Sequence, residues 1–588
     1  MGAGEAWIHP GFLFLFGCLL IPLLRGRVKK FYLLLIPALS IAAVALMKEG
    51  VYWKSHYLGL EIVLGRVDKL SLCFAWVFTI MAFLGSLYGL HRPEDGHHIA
   101  AYCYVGSSLG AVFAGDYLSL FVFWELMAVS SVFLVWYRGV PQSVRAGFRY
   151  LLVHVFGGLS LFMGMMMRYW STGSLVFDRI PTGAAGLPEY LILAGFALNA
   201  AVIPLHAWLP DAYPEATVEG AVLMSAYTTK TAVYVLARGF PGYEVLAILG
   251  TAMTVYGVFY AVIENDMRRV LAYHIISQVG YMVAGVGIGT AMTVNGACAH
   301  AFAHIIYKGL LFMGAGAVLY MVGTSKLSEL GGLWRYMPWT MVFYIVGAVS
   351  ISGFPLFSGF VSKTMTVSGA HEAGRPILMA LMELAAIGTF LSVGLKVTYF
   401  AFFGKDSGKV AKEPPQNMLW AMALASLLCF AIGVYPKMLY VLLPFEVEYR
   451  PYTAHHLLET LQLLSFTGLV FFLLVKKLEP EPKVNLDMDF SYRMGAKYFM
   501  WFDEKVIAVL DAIWGEIWKI LGLRALFGGA KASVAFDQVG IDGVVDGTAY
   551  GVRGIGGYVR RLQLGSLQLY IALGTAMVFI ILALAVLE

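Results

Sequence analysis

The sequence is short of charged residues. Of its 588 residues only 13% are Asp, Glu, Lys or Arg, whereas 60% are hydrophobic. A soluble domain of this size could not bury so much apolar surface, because polar and charged residues must cover its outside. The composition therefore excludes a soluble enzyme and predicts a polytopic membrane protein. The net charge of +5 is small for this length and indicates no nucleic-acid partner.

Cysteine is also scarce. The five cysteines lie one in each of five apolar segments, and no two form a C-x-x-C pair: Cys18, Cys73, Cys103, Cys298 and Cys429. This spacing argues against iron–sulfur or zinc ligation and against a disulfide framework. The sequence also lacks a nucleotide-binding motif and a flavin fingerprint. We therefore predict that the chain itself holds no metal and no cofactor.

Long apolar runs are the main feature that is present. Runs of about 20 residues, long enough to cross the hydrocarbon core of a bilayer, occur roughly sixteen times. The predicted spans are 8–24, 31–47, 70–90, 99–115, 117–136, 147–169, 189–207, 219–238, 244–263, 270–290, 294–321, 338–368 (interrupted), 376–403, 418–443, 454–476 and 566–587. The first lacks the basic start and the cleavage site of a signal peptide, so we expect a retained helix. The predicted fold class is an all-α polytopic membrane protein.

Basic residues between the predicted spans indicate the orientation. Short loops rich in Lys and Arg stay on the cytoplasmic side of a membrane. Loops of one parity carry Arg25, Arg27, Lys29, Lys30, Arg138, Arg145, Arg149, Arg268, Arg269, Lys326, Arg335, Lys405, Lys409 and Lys412. The 48–68 loop, with three basic residues, is the main exception. The pattern predicts that both termini lie outside and that segment 477–565 lies on the cytoplasmic side.

Segment 477–565 is too charged to span a membrane. Within it, "KYFMWFDEKVIAVLDAIWGEIWKILGLRALF" has apolar residues at helical spacing, which predicts a lateral amphipathic helix. The glycine-rich stretches "GGAKA" and "GVRGIGGYVR" are expected to interrupt it. Ordering so long an element costs conformational entropy unless it binds something, so we infer that it contacts neighbouring subunits. A solvated linker is the alternative.

Two predicted spans contain interruptions. "NAAVIPLHAWLPDAYPEAT" begins at Asn199 and includes Pro204 and Asp211, whereas "SISGFPLFSGFVSK" includes Pro355. Asp211, with Glu215, is a candidate cap for the next helix. Broken helices at matching positions of two halves indicate an ion path. The two prolines are 151 residues apart (355 − 204), and a period near 150 covers five helices, so we expect two inverted five-helix repeats.

Ionisable residues lie in or beside the predicted spans, at Glu125, Lys230, His274, His300, His304, Lys308, Lys363 and Lys396. Such a residue costs about 2.5–3.5 kcal/mol at the bilayer centre and usually faces the interior of a bundle. In "HAFAHIIYKGLLF" two histidines and a lysine recur every four residues, so they share one helix face. A desolvated lysine can release a proton near neutral pH, and a histidine titrates there unaided. The pattern predicts a series of groups that passes protons through the membrane.

Other interpretations remain open for several residues. An intramembrane histidine such as His154 or His206 is more often a hydrogen-bonded packing residue. Glu125 is a candidate for a structural ion pair. Lys363 lies near enough to a helix end for its ammonium to reach the surface.

Four stretches carry a resemblance to a known family. "PLHAWLPDAYPEAT", "RRVLAYHIISQVGYM", "HAFAHIIYKGLLFMGAG" and "GFPLFSGFVSK" closely resemble the antiporter-like subunit family. That family includes the large proton-pumping subunits of respiratory complex I, the A-type and D-type subunits of Mrp-type cation/proton antiporters, and counterparts in membrane-bound hydrogenases and formate hydrogenlyases. The resemblance covers about 100–405 strongly. The lateral segment and last span resemble the distal, L-type subunit of complex I, whereas "DAYPEATVEGAVLMSAYTTKTAVY" is more similar to the D-type antiporter subunit.

The resemblance implies roles for particular residues. The family's translocation residues fall on Glu125, Lys230, His300, His304, Lys308 and Lys363. The lysine that pairs with the family's glutamate is replaced by Asn199, so the usual Glu–Lys pair is missing. We hypothesise that Lys230 takes the partner role, and that Lys396 adds a matching amine in the second half.

The resemblance further implies an ion-translocating subunit of a larger complex in a prokaryotic cell (inner) membrane. It would carry H⁺, with Na⁺/H⁺ exchange left open, beside other membrane subunits. The complex would be redox-driven or an Mrp-type antiporter, and the chain itself would hold no redox site. The expected organisation is N-terminal helices 1–98, a first antiporter-like repeat 99–240, a second repeat 241–405, further helices 406–476, the lateral segment 477–565 and an anchor 566–588.

Two other functions remain open on the sequence alone. One is a redox subunit that binds haem or quinone directly, although His300 and His304 share one helix face and could not bind both sides of one haem. The other is a structural subunit that has lost transport, which only Asn199 suggests.

Overall fold

The computed structural model describes residues 7–57, 59–482, 486–563 and 565–587, which are mostly helical. The chain forms two compact units, Met1–Asp489 and Phe490–Glu588. The first nineteen helices are α1 (Pro10–Gly17), α2 (Gly26–Ala45), α3 (Lys69–Tyr88), α4 (Asp95–Phe113), α5 (Tyr117–Trp136), α6 (Pro141–Thr172), α7 (Leu187–Asn199), α8 (Trp208–Ala212), α9 (Val218–Ala226), α10 (Thr228–Gly239), α11 (Glu244–Ile263), α12 (Met267–Ile288), α13 (Ala291–Val322), α14 (Pro338–Ser352), α15 (Ser358–Glu372), α16 (Pro376–Thr389), α17 (Gln416–Val434), α18 (Lys437–Tyr440) and α19 (Ala454–Leu474). The later helices are α20 (Asp489–Phe502), α21 (Ala508–Ile517), α22 (Ala525–Ala535), α23 (Gly543–Leu562) and α24 (Leu567–Leu587).

Among the described residues, eleven helices are long and apolar enough to cross a membrane by length and composition. The other five predicted spans coincide with shorter, less apolar or interrupted helices, namely α1, α4, α7, the α9–α10 pair and the α14–α15 pair. The count of sixteen spans therefore stays a prediction.

The all-α prediction is wrong for the 48–68 loop, which contains a β-hairpin. Strands β1 (Gly50–Tyr57) and β2 (Leu60–Val67) pair antiparallel. Both are rich in β-branched and aromatic residues, which pack better on a pleated surface than in a helix. The hairpin packs on the turn between α4 and α5, where the Val63 N–H donates to Asp116 Oδ2 (2.8 Å).

Polar contacts tie helices together at both ends of the first unit. At the end that holds the hairpin, Arg238 of α10 donates two hydrogen bonds to Asp68 (both 2.8 Å). At the opposite end, Arg269 of α12 donates to the Pro210 carbonyl of α8 (3.3 Å). We call this opposite end the α11–α12 end, because the 264–266 turn between those helices lies there.

Two turns at opposite ends of the first unit are built alike. Asp116 precedes α5 and accepts from one backbone N–H in its first turn, and Asp266 precedes α12 and accepts from two. Each aspartate also forms an isolated β-bridge with a residue beyond the two following helices, Asp116 with Val176 and Asp266 with Lys326. The spacing is identical, since 266 − 116 and 326 − 176 both equal 150.

The first helix break follows α7. Residues 200–207, which include Pro204, are not α-helical and separate α7 from α8. The indole Nε1–H of Trp208 donates to the Leu198 carbonyl (3.0 Å), so a neutral donor satisfies a carbonyl at the end of α7.

The second helix break separates α14 from α15 and comprises residues 353–357, which include Pro355. Gly353 ends α14 with φ +77°, a left-handed conformation that glycine adopts without steric cost. The glycine therefore allows the chain to leave the helix within a single residue.

The second unit is helical almost throughout. Between α20 and α23 the chain stays helical through π-helical stretches at 503–507, 518–524 and 536–542. The two glycine-rich stretches lie inside α22 and α23, so the prediction that they interrupt the helix is wrong. A helical glycine costs only about 1 kcal/mol relative to alanine. This part of the sequence also has no proline, which would remove a hydrogen bond.

Candidate functional site

Helix α13 carries three ionisable side chains in the interior of the bundle. His300, His304 and Lys308 lie four residues apart, on one face of the helix. Each has 0% of its surface exposed. These side chains therefore face protein and not lipid.

His300 links α13 to two neighbouring helices. Its Nδ1 lies 3.2 Å from Ser362 Oγ of α15, and its Nε2 lies 3.1 Å from Gln278 Oε1 of α12. The Tyr307 hydroxyl lies 3.5 Å from the same Nε2. An imidazole with polar partners at both nitrogens can accept a proton at one and release a proton from the other.

His304 and Lys308 lie close to other basic groups. Among the described residues, neither ring nitrogen of His304 has a hydrogen-bond partner. Lys308 Nζ donates to the Leu271 carbonyl of α12 (3.2 Å). The groups that interact electrostatically with His304 are Lys230, Lys308, His300 and His274. Burying polar atoms without partners is costly, so an arrangement of this kind is typical of a functional site.

Lys230 lies in the first turn of α10, close to Tyr227, the residue between α9 and α10. Its Nζ donates to the Ser225 carbonyl (2.6 Å) and to the Thr229 hydroxyl (3.0 Å). Lys230 is fully buried. Its ammonium group is thus held by neutral oxygens.

Glu125 of α5 is half-buried against α6. A Cβ added at Gly158 would lie 1.9 Å from Glu125 Oε1, so the carboxyl group occupies space that only a glycine leaves open. This Oε1 has no hydrogen-bond partner within the described residues. In that part of the chain no ion pair joins Glu125 to Lys230, so the partner role of Lys230 stays a hypothesis.

Lys363 of α15 lies at the second helix break. Its Nζ donates to the Ile351 carbonyl of α14 (3.3 Å) and lies 5.7 Å from the centre of the Tyr281 ring. Only 4% of the residue is exposed, so its ammonium does not extend to the surface as the alternative interpretation required. The cation instead lies at the C-terminal end of a half-helix, where it is electrostatically favoured.

Helix α16 continues as a π-helical stretch, Phe390–Val397. Lys396 belongs to this stretch, and His274 of α12 contacts it. His274 Nε2 lies 2.6 Å from Ser392 Oγ. Lys396 Nζ donates to the carbonyls of Val262 (2.6 Å) and Glu264 (2.9 Å) at the C-terminal end of α11. Lys396 thus lies at the α11–α12 end, close to the edge of the bundle.

A neutral amide, Asn199, ends α7 immediately before the first break. Asn199 is fully buried, and among the described residues neither of its amide atoms has a partner. Asp211 forms a two-bond ion pair with Arg149 of α6 (2.7 and 2.8 Å), which anchors α8. The next helix, α9, is capped by Thr217, so Asp211 does not serve as its cap.

His154 fits its packing interpretation. Its Nδ1 lies 2.9 Å from the Tyr150 carbonyl, and its ring stacks on the Tyr150 ring at 4.0 Å. The Trp208 ring contacts it edge-on at 4.5 Å. His154 therefore supports the helix break through packing.

Several polar residues at these sites are not among the predicted ones. Gln278, Ser362 and Ser392 contact the buried histidines, but uncharged polar residues are common in spanning helices and carry little information by themselves. Asp487 was not predicted as a site residue for another reason. It lies in a segment predicted to lie along the surface, yet its carboxylate contacts His206 in the first break.

Six of the eight predicted translocation residues form one connected group. We call this group the ionisable cluster, and it comprises Lys230, His274, His300, His304, Lys308 and Lys363. His304 interacts with four of the others, as described above. Lys308 also interacts electrostatically with Lys230. His274 interacts in the same way with Lys308 and Lys363, and His300 with Lys363 and Lys230. Glu125 and Lys396 lie apart from it. In the described part of the chain no group of three or more His, Cys, Asp or Glu residues could hold a metal ion.

Comparison with known proteins confirms the family resemblance. Residues 114–391 match the family described as NADH:quinone oxidoreductase/Mrp antiporter, TM. The chain is 34% identical over 316 residues to the D-type subunit of the Na(+)/H(+) antiporter of Alkalihalophilus pseudofirmus, across 50% of this chain and 64% of that protein. It is 29% identical over 416 residues to Hydrogenase-4 component B of Escherichia coli, across 63% of this chain and 62% of that protein. The chain thus spans less than two thirds of either relative.

Solved structures share the fold. A chain of the Mrp complex from Dietzia sp. DQ12-45-1b superposes with a TM-score of 0.68 at 23% identity, covering 74% of this chain and 95% of that chain. A chain of respiratory complex I from Thermus thermophilus gives 0.64 at 23% identity, covering 74% and 98%. The protein is therefore a mostly helical, multi-pass membrane protein with the fold of antiporter-like subunits.

Proposed function

We propose that this chain moves protons across the membrane as an antiporter-like subunit of a multisubunit complex. The observation that carries the proposal is the ionisable cluster, in which six titratable side chains from α10, α12, α13 and α15 lie buried within electrostatic reach of one another. Burying one such group is costly. A structural role does not account for burying six basic groups together.

The chemistry of the cluster suits proton transfer. Buried like charges repel one another, so the cluster cannot hold all of its protons at once. A proton that arrives at one member weakens proton binding at its neighbours. Imidazoles and hydroxyls between the amines, such as His300 with Ser362, provide groups that both accept and donate. Exchange of Na⁺ for H⁺ is compatible with the same cluster.

Two inverted repeats are part of the proposal. The equal 150-residue spacing of the two capped turns supports them, as does the presence of a broken helix after each set of three helices. The turns lie at opposite ends of the first unit, as inversion requires. With sixteen spans, both termini would lie outside and segment 477–565 on the cytoplasmic side.

We also propose that the second unit contacts other membrane subunits. Its helices α20 to α23 expose large aromatic side chains, among them Trp501, Trp514 and Trp518. Exposed apolar surface on a long helix is typical of a binding face. The partners would be neighbouring antiporter-like subunits of a redox-driven or Mrp-type complex, and this chain would hold no cofactor.

Everted membrane vesicles provide the test. They are prepared from cells that express the full chain with its neighbouring subunits, and the pH gradient is followed with a fluorescent amine dye. Formation of the gradient by an electron donor and its dissipation by NaCl are both measured. Lys308→Met keeps the length of the side chain and removes its charge. We expect it to lower proton movement at least about ten-fold.

The matched control is Lys326→Met, at an exposed position outside the cluster. It removes the same charge and should leave transport unchanged. Proton movement at the wild-type rate in the Lys308→Met variant would contradict the proposed function and favour a structural subunit.

A further inference from the structure

Asp487 is an acidic residue in an unusual place. It follows α19 and lies outside the predicted spanning helices, yet only 5% of its side-chain surface is exposed. The carboxylate accepts a hydrogen bond from the Tyr273 hydroxyl of α12 (2.6 Å) and another from the Tyr256 hydroxyl of α11. Two helices thus hold this carboxylate inside the first unit.

The imidazole of His206 faces the carboxylate of Asp487. Its Nε2 lies 3.4 Å from Asp487 Oδ1. His206 is fully buried in the 200–207 break, and its ring meets the Tyr256 ring edge-on at 4.7 Å. Among the described residues its Nδ1 has no hydrogen-bond partner.

The pair lies well inside the α11–α12 end. Tyr256 and Tyr273 are seven and six residues from the helix ends at the 264–266 turn. At 1.5 Å per residue this places the backbones of the two tyrosines that hold the carboxylate about 9 to 10.5 Å from those helix ends. A carboxylate at this depth is costly unless a positive partner accompanies it. The imidazole of His206 is the side chain placed to take that role.

Other groups surround the pair. The titratable or charged side chains of the adjacent elements are Tyr256, Tyr260, Glu264, Arg269, Tyr273 and Asp211, the last paired with Arg149. Burial alone would raise the pKa of Asp487, but hydrogen bonds from the imidazole and the two tyrosines outweigh it and lower this pKa to about 2. The carboxylate is therefore ionised at physiological pH.

We propose that Asp487 is a positioning residue for the ion path, holding a proton on His206 where the first helix break meets the α11–α12 end. This inference rests on the proposed function and adds to it. The ionisable cluster contains no carboxylate, and Asp211 of α8, just after the same break, is already paired with Arg149. The Asp487–His206 pair supplies the missing acid, and it does so from a segment outside the spanning helices.

Asp487→Asn tests the inference in the same vesicles, with transport measured from pH 6 to pH 9. The amide can still accept from the tyrosines but carries no charge, so the imidazolium of His206 is destabilised. We expect the alkaline limb of the transport profile to shift to lower pH by about one unit or more. Asp487→Glu should restore the wild-type profile. His206→Gln should lower transport, and adding Asp487→Asn to it should cause no further loss.

The controls separate this inference from the proposed function. Asp503→Asn, in the second unit, should have the wild-type profile. If Lys308→Met abolishes transport while Asp487→Asn has a wild-type profile, the inference is wrong and the proposed function stands. If Lys308→Met has no effect, the proposed function itself fails. A loss at all pH values without a shift would show that Asp487 only supports folding. If Asp487→Asn does not accumulate in membranes, a wild-type rate for His206→Gln overturns the inference.

Discussion

The two helix breaks are stabilised in different ways. At the second break a buried cation, Lys363, donates to the Ile351 carbonyl of the preceding half-helix. At the first break, α7 ends on the neutral Asn199, and the Leu198 carbonyl accepts from the neutral indole of Trp208. Also at the first break, the imidazole of His206 faces the carboxylate of Asp487, with Nε2 3.4 Å from Oδ1. A carbonyl at the end of a half-helix therefore needs a donor, but the donor need not be charged.

The difference has a consequence for transport. The cation at the second break is a member of the ionisable cluster, so structure and transport depend on the same side chain. At the first break the structural donor, Trp208, is distinct from the titratable group, His206. We therefore expect changes at the second break to have the larger effect on transport.

The largest effect is expected for Lys363→Met. It removes the cation from the second break and one member of the cluster, and we expect proton movement to fall by about 100-fold. Everted vesicles give the measurement, and Lys405→Met, outside the cluster, is the control. Normal transport in the Lys363→Met variant would show that the cation at the second break is not needed for transport, and the proposed difference between the two breaks would be wrong.

An intermediate effect is expected for Gly158→Ala, near the first break. The added Cβ would lie 1.9 Å from Glu125 Oε1, so the carboxyl group must move. We expect transport to fall by about ten-fold, because proton transfer depends on the position of the group. Gly183→Ala is the matched control, since an added Cβ there meets no atom within 4 Å. An unchanged rate for Gly158→Ala would remove Glu125 from the path.

The smallest effect is expected for Trp208→Phe, which removes only the neutral donor at the first break. We expect a loss of about 1 kcal/mol of stability, the usual net contribution of one hydrogen bond. Transport should stay above half of the wild-type rate. Thermal unfolding of the purified protein in detergent gives the measurement.

The control for Trp208→Phe is Trp170→Phe, at a position that is 92% exposed. A loss of transport without a loss of stability in Trp208→Phe would mean that the indole belongs to the ion path. In that case the separation of structure and transport at the first break would be wrong.

Several features were predictable because their physical causes are local. The prolines at 204 and 355 interrupt helical patterns, and the structure has an unwound segment around each. The intervals of four residues in α13 indicate a shared face. The wrong predictions have local causes too. The charges of the 48–68 loop conceal the β-branched and aromatic residues that form its hairpin, and the glycines of α22 and α23 are weaker helix breakers than their number suggests.

The amino-acid sequence alone determined that this is a membrane protein with costly ionisable residues in its spans, because the length of an apolar run and the identity of a residue within it are local properties. Only the tertiary structure decided which of these residues meet. It joined Lys230 to His304, separated Glu125 from Lys230, and brought Asp487 to His206 across 281 residues of chain. Such distances are set by helix packing, and packing depends on every side chain at an interface and on no single motif.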